Sequence, residues 1–292
     1  MSTSKPPTIL VFGANGMLGH TVYNFLKKNY PTTTFGTVRK RKSEDMHILN
    51  FDVYKLRNIE IVFKKFERIN YIINCIGILP NSTTKKEMNF INAIFPHMIS
   101  LLAEKYNSKL IHISTDAVFH PLSGSVDEHS PTSPTTSYGR TKLQGEPISS
   151  NAITIRTSII GLDPFKHKGV LEWALKGKSI NGFTNQIWSG CTTLQYARLC
   201  YKIISSNSFQ KMKDSSSIFH FSPIREVTKH DIIKTFLLLQ KSNKLIKKTK
   251  GRLITRLLKT RHSELIFIDK QKKQIKNALE ELINFEKAIK TE

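Results

Sequence analysis

Tyr138 and Lys142 are the two residues whose types and Y-x-x-x-K spacing could carry a proton in redox chemistry, within KLIHISTDAVFHPLSGSVDEHSPTSPTTSYGRTKLQGE at 109–146. On a helix that spacing puts both side chains on one face about a turn apart, where an ammonium can lower the phenol's pKa and let it exchange a proton near neutrality. A proton donor is half of a carbonyl reduction; the hydride must come from a cofactor. The N-terminal stretch offers a place for one. TILVFG reads as a buried strand, after which Gly13, Asn15, Gly16, Met17, Leu18 and Gly19 turn into a helix. Glycines at such a turn let the backbone approach a pyrophosphate, which then rests on the helix N-terminus. The spacing is G-x-x-G-x-x-G rather than the G-x-G-x-x-G of other dinucleotide folds.

The elements that must position these groups alternate along the chain. Apolar spacing predicts a helix over 17–29 and a strand over 33–38. At the end of that strand, where an acidic residue would hold ribose hydroxyls, stand Arg39, Lys40, Arg41 and Lys42. Such a cluster suits a 2′-phosphate and hence NADPH, with NADH as the alternative; an exposed basic turn is the plain reading. Residues 53–68 read as a helix, 71–77 as a buried strand, and 86–106 as a long helix interrupted at Pro96. A strand over 110–113 delivers Thr115 at its carboxyl end, where doubly wound sheets place their ligands. Further strands are predicted at 153–158 and 217–222, and helices at 192–205, 227–240 and 272–289. The pattern predicts an α/β fold: a Rossmann-like doubly wound parallel sheet over 1–160, and a smaller C-terminal α/β substrate-binding region over 161–292 that interleaves with it.

Taken together, these residues resemble the extended short-chain dehydrogenase/reductase superfamily. Ser114-Thr115-Asp116-Ala117-Val118-Phe119, Asp127-Glu128, Pro131, Pro134, Tyr138-Gly139-Arg140-Thr141-Lys142 and Gly145-Glu146 are similar to the dTDP-4-dehydrorhamnose reductase family of nucleotide-sugar 4-ketoreductases. The likeness covers roughly residues 8–200. It implies that Thr115, Tyr138 and Lys142 are catalytic. It also implies that Asp52 lies beside the adenine and that Asn74, Cys75 and Gly77 lie against the cofactor. Asn92 then either holds a water in a proton relay or buttresses the turn at Pro96. Arg156-Thr157-Ser158 matches a segment near the nicotinamide. Asp116, Asn185 and Trp188 fall in substrate-flanking segments, with ligand proximity slightly favoured for Trp188 over a place in the core. The implied reaction is NADPH-dependent reduction of the C4 ketone of a nucleotide-diphosphate sugar, dTDP-4-dehydro-L-rhamnose or a UDP-2-acetamido-2,6-dideoxy-hexos-4-ulose, in deoxysugar biosynthesis. Ala117 and Ile159 stand where the family has Tyr and Trp, and both departures bear on the sugar. A non-catalytic NADP-binding regulatory subunit, like the beta subunit of methionine adenosyltransferase, is the alternative.

Composition bounds the rest. A chain of 292 residues can bury a sizeable core. No apolar run has membrane-spanning length and no charged-then-apolar leader opens the chain, so a soluble cytoplasmic protein with no membrane partner is expected. Three cysteines without metal-ligand spacing read as reduced thiols, and the ten histidines are scattered, so no metal is expected. The sequon at 81–83 carries no weight without a secretory route. The formal net charge is +23, and the run KSNKLIKKTKGRLITRLLKTR at 241–261 has no acidic residue. It could bind nucleic acid or steer an anionic substrate. Lacking interleaved aromatics, it reads best as a solvated basic face, and nucleic acid is not the expected partner. A homodimer is compatible with the sequence.

Overall fold

Apolar runs closed by glycine or polar turns form parallel strands, and the amphipathic stretches between them cover the sheet. The computed structural model describes residues 5–40, 45–55, 57–80, 83–165, 169–176, 179–267 and 272–291. The first half runs β1 (Ile9–Phe12), α1 (Met17–Asn29), β2 (Thr34–Val38), β3 (Ile48–Asn50), α2 (Arg57–Lys64) and β4 (Tyr71–Asn74). It continues with α3 (Lys85–Asn89), a π-helical turn (Phe90–Ile94), α4 (Phe95–Lys105), β5 (Lys109–Thr115), a 3-10 turn (Asp116–Val118), β6 (Ser125–Val126), α5 (Ser137–Gln144) and β7 (Ala152–Thr157). Next come β8 (Ile159–Ile160), α6 (Val170–Leu175), β9 (Ser179–Phe183), β10 (Ile187–Trp188), β11 (Cys191–Thr192), α7 (Thr193–Ser205) and α8 (Phe209–Ser215). The chain closes with β12 (Ile218–His220), β13 (Val227–Thr228), α9 (Lys229–Leu239), β14 (Leu245–Thr249), β15 (Leu257–Leu258) and α10 (Ile275–Thr291).

Seven strands form one parallel sheet in the order β12-β7-β5-β4-β1-β2-β3. The order reverses between β1 and β4, the switch point at which such sheets open a crevice beyond their carboxyl ends. Alternation along β1 sends Ile9 and Val11 into one core with Val22, Leu26 and Ile203, and Leu10 and Phe12 into the other with Ile91, Phe95 and Ile99. A third core, Ile160, Leu171, Trp188, Phe236, Leu279 and Ile283 among its members, forms a smaller second lobe. The strand β12 and helix α7 come from beyond residue 160, yet both pack in the first layer: β12 extends the sheet and α7 lies on α1.

Local chemistry explains where elements are shorter or more broken than their periodicity suggests. Residues 53–68 give only the helix α2, because Asp52 accepts the Tyr54 N–H at 3.2 Å and starts a turn instead. In 86–106 the helix passes through a π-helical turn just before Pro96, whose missing N–H cannot continue the regular ladder. Residues 227–240 yield a strand pair with β10 before α9, whose N-cap is Thr228. The strand β14 lies within the basic run and pairs in parallel with β9. Among the described residues, no helix is long and apolar enough to cross a membrane.

Gly13 has φ +82°, the left-handed region that favours glycine, and at Gly19 a Cβ would run into the Gly13 carbonyl. At Gly16 the same oxygen would lie 3.3 Å from a Cβ. Gly19→Ala should therefore cost about 1–3 kcal/mol in urea unfolding, as overpacking does, and clearly more than Gly16→Ala. Equal costs for the two would mean that the turn does not hold α1 this close to β1.

Candidate active site

Parallel pairing sets the carboxyl ends of β1, β2, β4 and β5 side by side: Phe12 is in register with both Thr37 and Asn74, and Asn74 with His112. The residues that follow those ends therefore share one edge. There the glycine turn is built from the Gly16 N–H donating to the Gly13 carbonyl at 2.9 Å and the Gly13 N–H to Thr37 Oγ1 at 3.1 Å. Gly16 is the N-cap of α1, no side chain caps the helix, and its first turn holds no acid. Backbone N–H groups without side-chain caps and a positive dipole end fit the pyrophosphate of a dinucleotide. Asn15 and Met17 are half-buried at this turn, while Leu18 points into the core beneath it.

The neighbouring strand ends carry the other predicted cofactor residues. Arg39 and Lys40 are exposed just past β2, and the Arg39 guanidinium lies 5.9 Å from the centre of the Tyr54 ring, which stacks on Phe90. Arg41 and Lys42 lie outside the described residues. Asp52 follows β3, its carboxylate engaged by the Tyr54 N–H. Asn74 is fully buried; its Oδ1 accepts from the Ile76 N–H at 3.1 Å and its Nδ2 faces His112 Nδ1 at 3.1 Å. Asn74 thus shapes the edge from beneath. Cys75 is half-buried, its thiol pushed up by burial, and Gly77 is exposed. The buried Asn92 amide accepts from the Ile78 N–H and donates to the Ile78 carbonyl, each at 2.9 Å, so it buttresses the segment after β4 rather than the turn at Pro96.

Helix α5, capped by Thr136, brings Tyr138 and Lys142 against β5. The Tyr138 phenol is pushed up to about 12, first by burial and then by the Asp116 carboxylate, with the neighbouring Thr115 hydroxyl opposing both. Lys142 Nζ donates to the Ile113 carbonyl at 2.6 Å and lies 3.5 Å from His112 Nε2. Burial brings its ammonium down to about 8, against the pull of Glu146 and then Cys75. Because the Ile76 N–H fixes the Asn74 amide, His112 accepts through Nδ1 and its proton sits on Nε2, toward Lys142. Burial, then Lys142, holds His112 neutral, well below the usual histidine range. The ammonium is therefore seated on the strand rather than on the phenol, and the field at Tyr138 comes mainly from burial and Asp116.

Two residues beneath the site lock α5 in place. Glu146, just past its end, takes a bidentate pair from Arg156 on β7, Nε to Oε1 at 2.8 Å and Nη2 to Oε2 at 2.7 Å, and Ser114 donates to Oε1 at 2.6 Å. Both charged side chains are at most 5% exposed. The predicted substrate residues divide. Asp116 adjoins Thr115, whose hydroxyl donates to its Oδ1 at 3.2 Å. Asn185 closes an amide pair with the Gly251 backbone, and Trp188 packs in the second lobe's core with its indole N–H on Ser158 Oγ at 2.9 Å. Sequence reasoning missed His112 and Arg256, the latter donating from Nε to Asp116 Oδ2 at 2.7 Å. The register Asn74–His112 and a contact spanning 140 residues leave no local signal.

Comparison with known proteins adds to this geometry. The model of the family described as RmlD substrate binding domain matches residues 7–283. A dTDP-4-dehydrorhamnose reductase of Aggregatibacter actinomycetemcomitans is 27% identical over 160 residues, 51% of this chain and 50% of that protein. The chain thus spans about half the length of the curated relative it matches. A solved dTDP-4-dehydrorhamnose reductase from Bacillus anthracis in complex with NADP superposes with a TM-score of 0.71 at 19% identity, covering 97% of this chain and 99% of that one. One from Clostridium acetobutylicum gives 0.70 at 21%, covering 96% and 99%. An L-threonine dehydrogenase from Phytophthora infestans gives 0.77 at 15%, covering 97% and 99%. At such identities the superpositions show the fold alone.

Replacing Glu146 by Gln leaves the Arg156 charge buried and uncompensated. The change should cost about 3–5 kcal/mol in chemical denaturation, the usual effect of breaking a buried pair. A cost below about 1 kcal/mol would mean water reaches the pair.

Proposed function

Because the chain belongs to the RmlD substrate binding domain family, we propose that it is a nucleotide-sugar ketoreductase: it reduces the C4 ketone of a nucleotide-linked 4-keto-6-deoxyhexose with NADPH. The observation that carries this reading is the meeting of Thr115, Tyr138 and Lys142 at the same sheet edge as the glycine turn. A bound nicotinamide supplies the hydride. The residues of the chain handle the proton and the orientation. Tyr138 keeps its phenol protonated throughout the neutral range, the state a general acid needs, and gives that proton to the nascent C4 alkoxide. The Thr115 hydroxyl, beside the phenol, turns from Asp116 Oδ1 to hydrogen-bond the same alkoxide. Lys142, seated on the Ile113 carbonyl, keeps two further N–H donors for ribose hydroxyls. Gly13 to Gly19 cradle the pyrophosphate, with Arg39 and Lys40 at the adenosine 2′-phosphate.

The reading is tested by nicotinamide oxidation with a panel of dTDP- and UDP-linked 4-keto sugars. Tyr138→Phe removes only the phenolic hydroxyl, so kcat should fall by about 10²–10⁴-fold while NADPH still binds. A loss under about tenfold would remove Tyr138 from the chemistry. No turnover on any sugar of the panel would overturn the reductase reading itself.

Cofactor choice is a separate measurement. A charge-assisted guanidinium–phosphate bond contributes about 1.5–3 kcal/mol, so wild type should prefer NADPH over NADH by at least about tenfold in kcat/KM. The Arg39→Ala, Lys40→Ala double variant should lose that preference. A preference that survives would make the pair an exposed basic turn and nothing more.

A further inference from the structure

One member of the basic run reaches the proton-donating group. Arg256 pairs with Asp116, and the two side chains are only 16% and 17% exposed. Its place is built by the main chain: the N–H groups of Thr255 and Arg256 donate to the Pro121 carbonyl at 2.8 and 3.2 Å, and β15 pairs with β6 immediately after. Two residues further on, Thr260 and the Arg261 N–H bind the Glu128 carboxylate. The segment is thus strapped across the loop that follows β5, and Arg256 is held over the residue next to Thr115.

Asp116 has two claims on its carboxylate. Oδ2 takes Arg256 and Oδ1 takes the Thr115 hydroxyl. A threonine hydroxyl carries a single hydrogen, so whatever Asp116 draws is withheld from the Tyr138 oxygen and from an alkoxide beside it. Asp116 also sets a negative charge near Tyr138, which must itself turn negative when it gives up its proton. Other charges on the surrounding elements are Arg140 and Lys142 on its own helix, Lys229 from the second lobe, which interacts with Asp116 and Arg256, and Lys85, Lys86 and Glu87 on α3, which packs against α5. Glu87 is turned back onto Thr83 and Thr84. Of all these, Arg256 is the cation hydrogen-bonded to Asp116.

We propose that Arg256 is a positioning residue for proton transfer: held on Asp116, it offsets the negative charge beside Tyr138 and so lowers the cost of charge on the phenol oxygen when the proton leaves. The proposal rests on the reading of Tyr138 as proton donor. In the step itself the Tyr138 O–H bond breaks and an O–H bond forms on the substrate oxygen; Arg256 stays protonated, Asp116 stays ionised, and their pairing is kept.

The test uses the full chain labelled with 3-fluorotyrosine, whose ring fluorine brings phenol ionisation into the pH range where proteins stay folded. The Tyr138 signal in the ¹⁹F spectrum is assigned by its loss in Tyr138→Phe. Arg256→Gln should move the Tyr138 titration to higher pH, Arg256→Lys should leave it near wild type, and adding Asp116→Asn to Arg256→Gln should bring it back down. Asp116→Asn alone should lower it, which keeps the test open if Arg256→Gln fails to fold. In turnover, Arg256→Gln should lose about 10–100-fold in kcat with NADPH affinity retained, and the double variant should recover part of that loss. A Tyr138 titration indifferent to these changes, or a double variant no better than the single one, overturns the proposal. If the titration pattern holds but no sugar is reduced, the linkage stands and the proposed activity falls.

Discussion

The buried Glu146–Arg156 pair is the interaction on which the candidate site depends. Removing two charges from water is expensive, and the cost is offset only when geometry is good and the remaining lone pairs are met. Here the pair is bidentate and Ser114 takes up a further lone pair, so three elements, β5, β7 and the end of α5, are tied at one point. Gly145 beside it lets the chain pass against the Asn92 carbonyl, where a Cβ would collide. The helix carrying Tyr138 and Lys142 is thereby fixed between the sheet and the π-helical turn.

With that helix fixed, burial governs the electrostatics more than the Tyr–Lys pairing does. Tyr138 is pushed up and Lys142 brought down, each chiefly because its charged form is taken out of water. The ammonium answers to the Ile113 carbonyl and Glu146, while the phenol answers to Thr115 and Asp116. A phenol kept protonated and an ammonium brought down towards neutrality suit the proposed proton donor and ribose clamp, separated by their partners although they share a helix face.

The basic run 241–261 shows how composition misleads when the fold is unknown. It reads as a solvated face, yet β14 adds to β9, β15 adds to β6, Lys259 pairs with Glu226, and Arg256 reaches Asp116. Strand pairing with segments 66 and more than 100 residues earlier converts a charged stretch into a strap across the site. Lys247 and Lys248 of β14 keep the exposed character that the composition implies.

The sequence by itself determined the layers and the chemistry. Alternating apolar periods forecast the parallel sheet, α1 lies at 17–29 as its spacing predicts, and the glycine turn and Tyr138-x-x-x-Lys142 stand at one sheet edge as the proposed reading needs, because these signals are local: side-chain periodicity, backbone freedom and helical spacing. Only the tertiary structure decided what each polar group does there. Asn74 and Asn92 hold backbone and His112, Asn185 and Trp188 are engaged by Gly251 and Ser158, and Asp116 is claimed by an arginine 140 residues away. A buried polar atom must find a partner, and strand register and lobe packing, which bring distant segments together, select that partner.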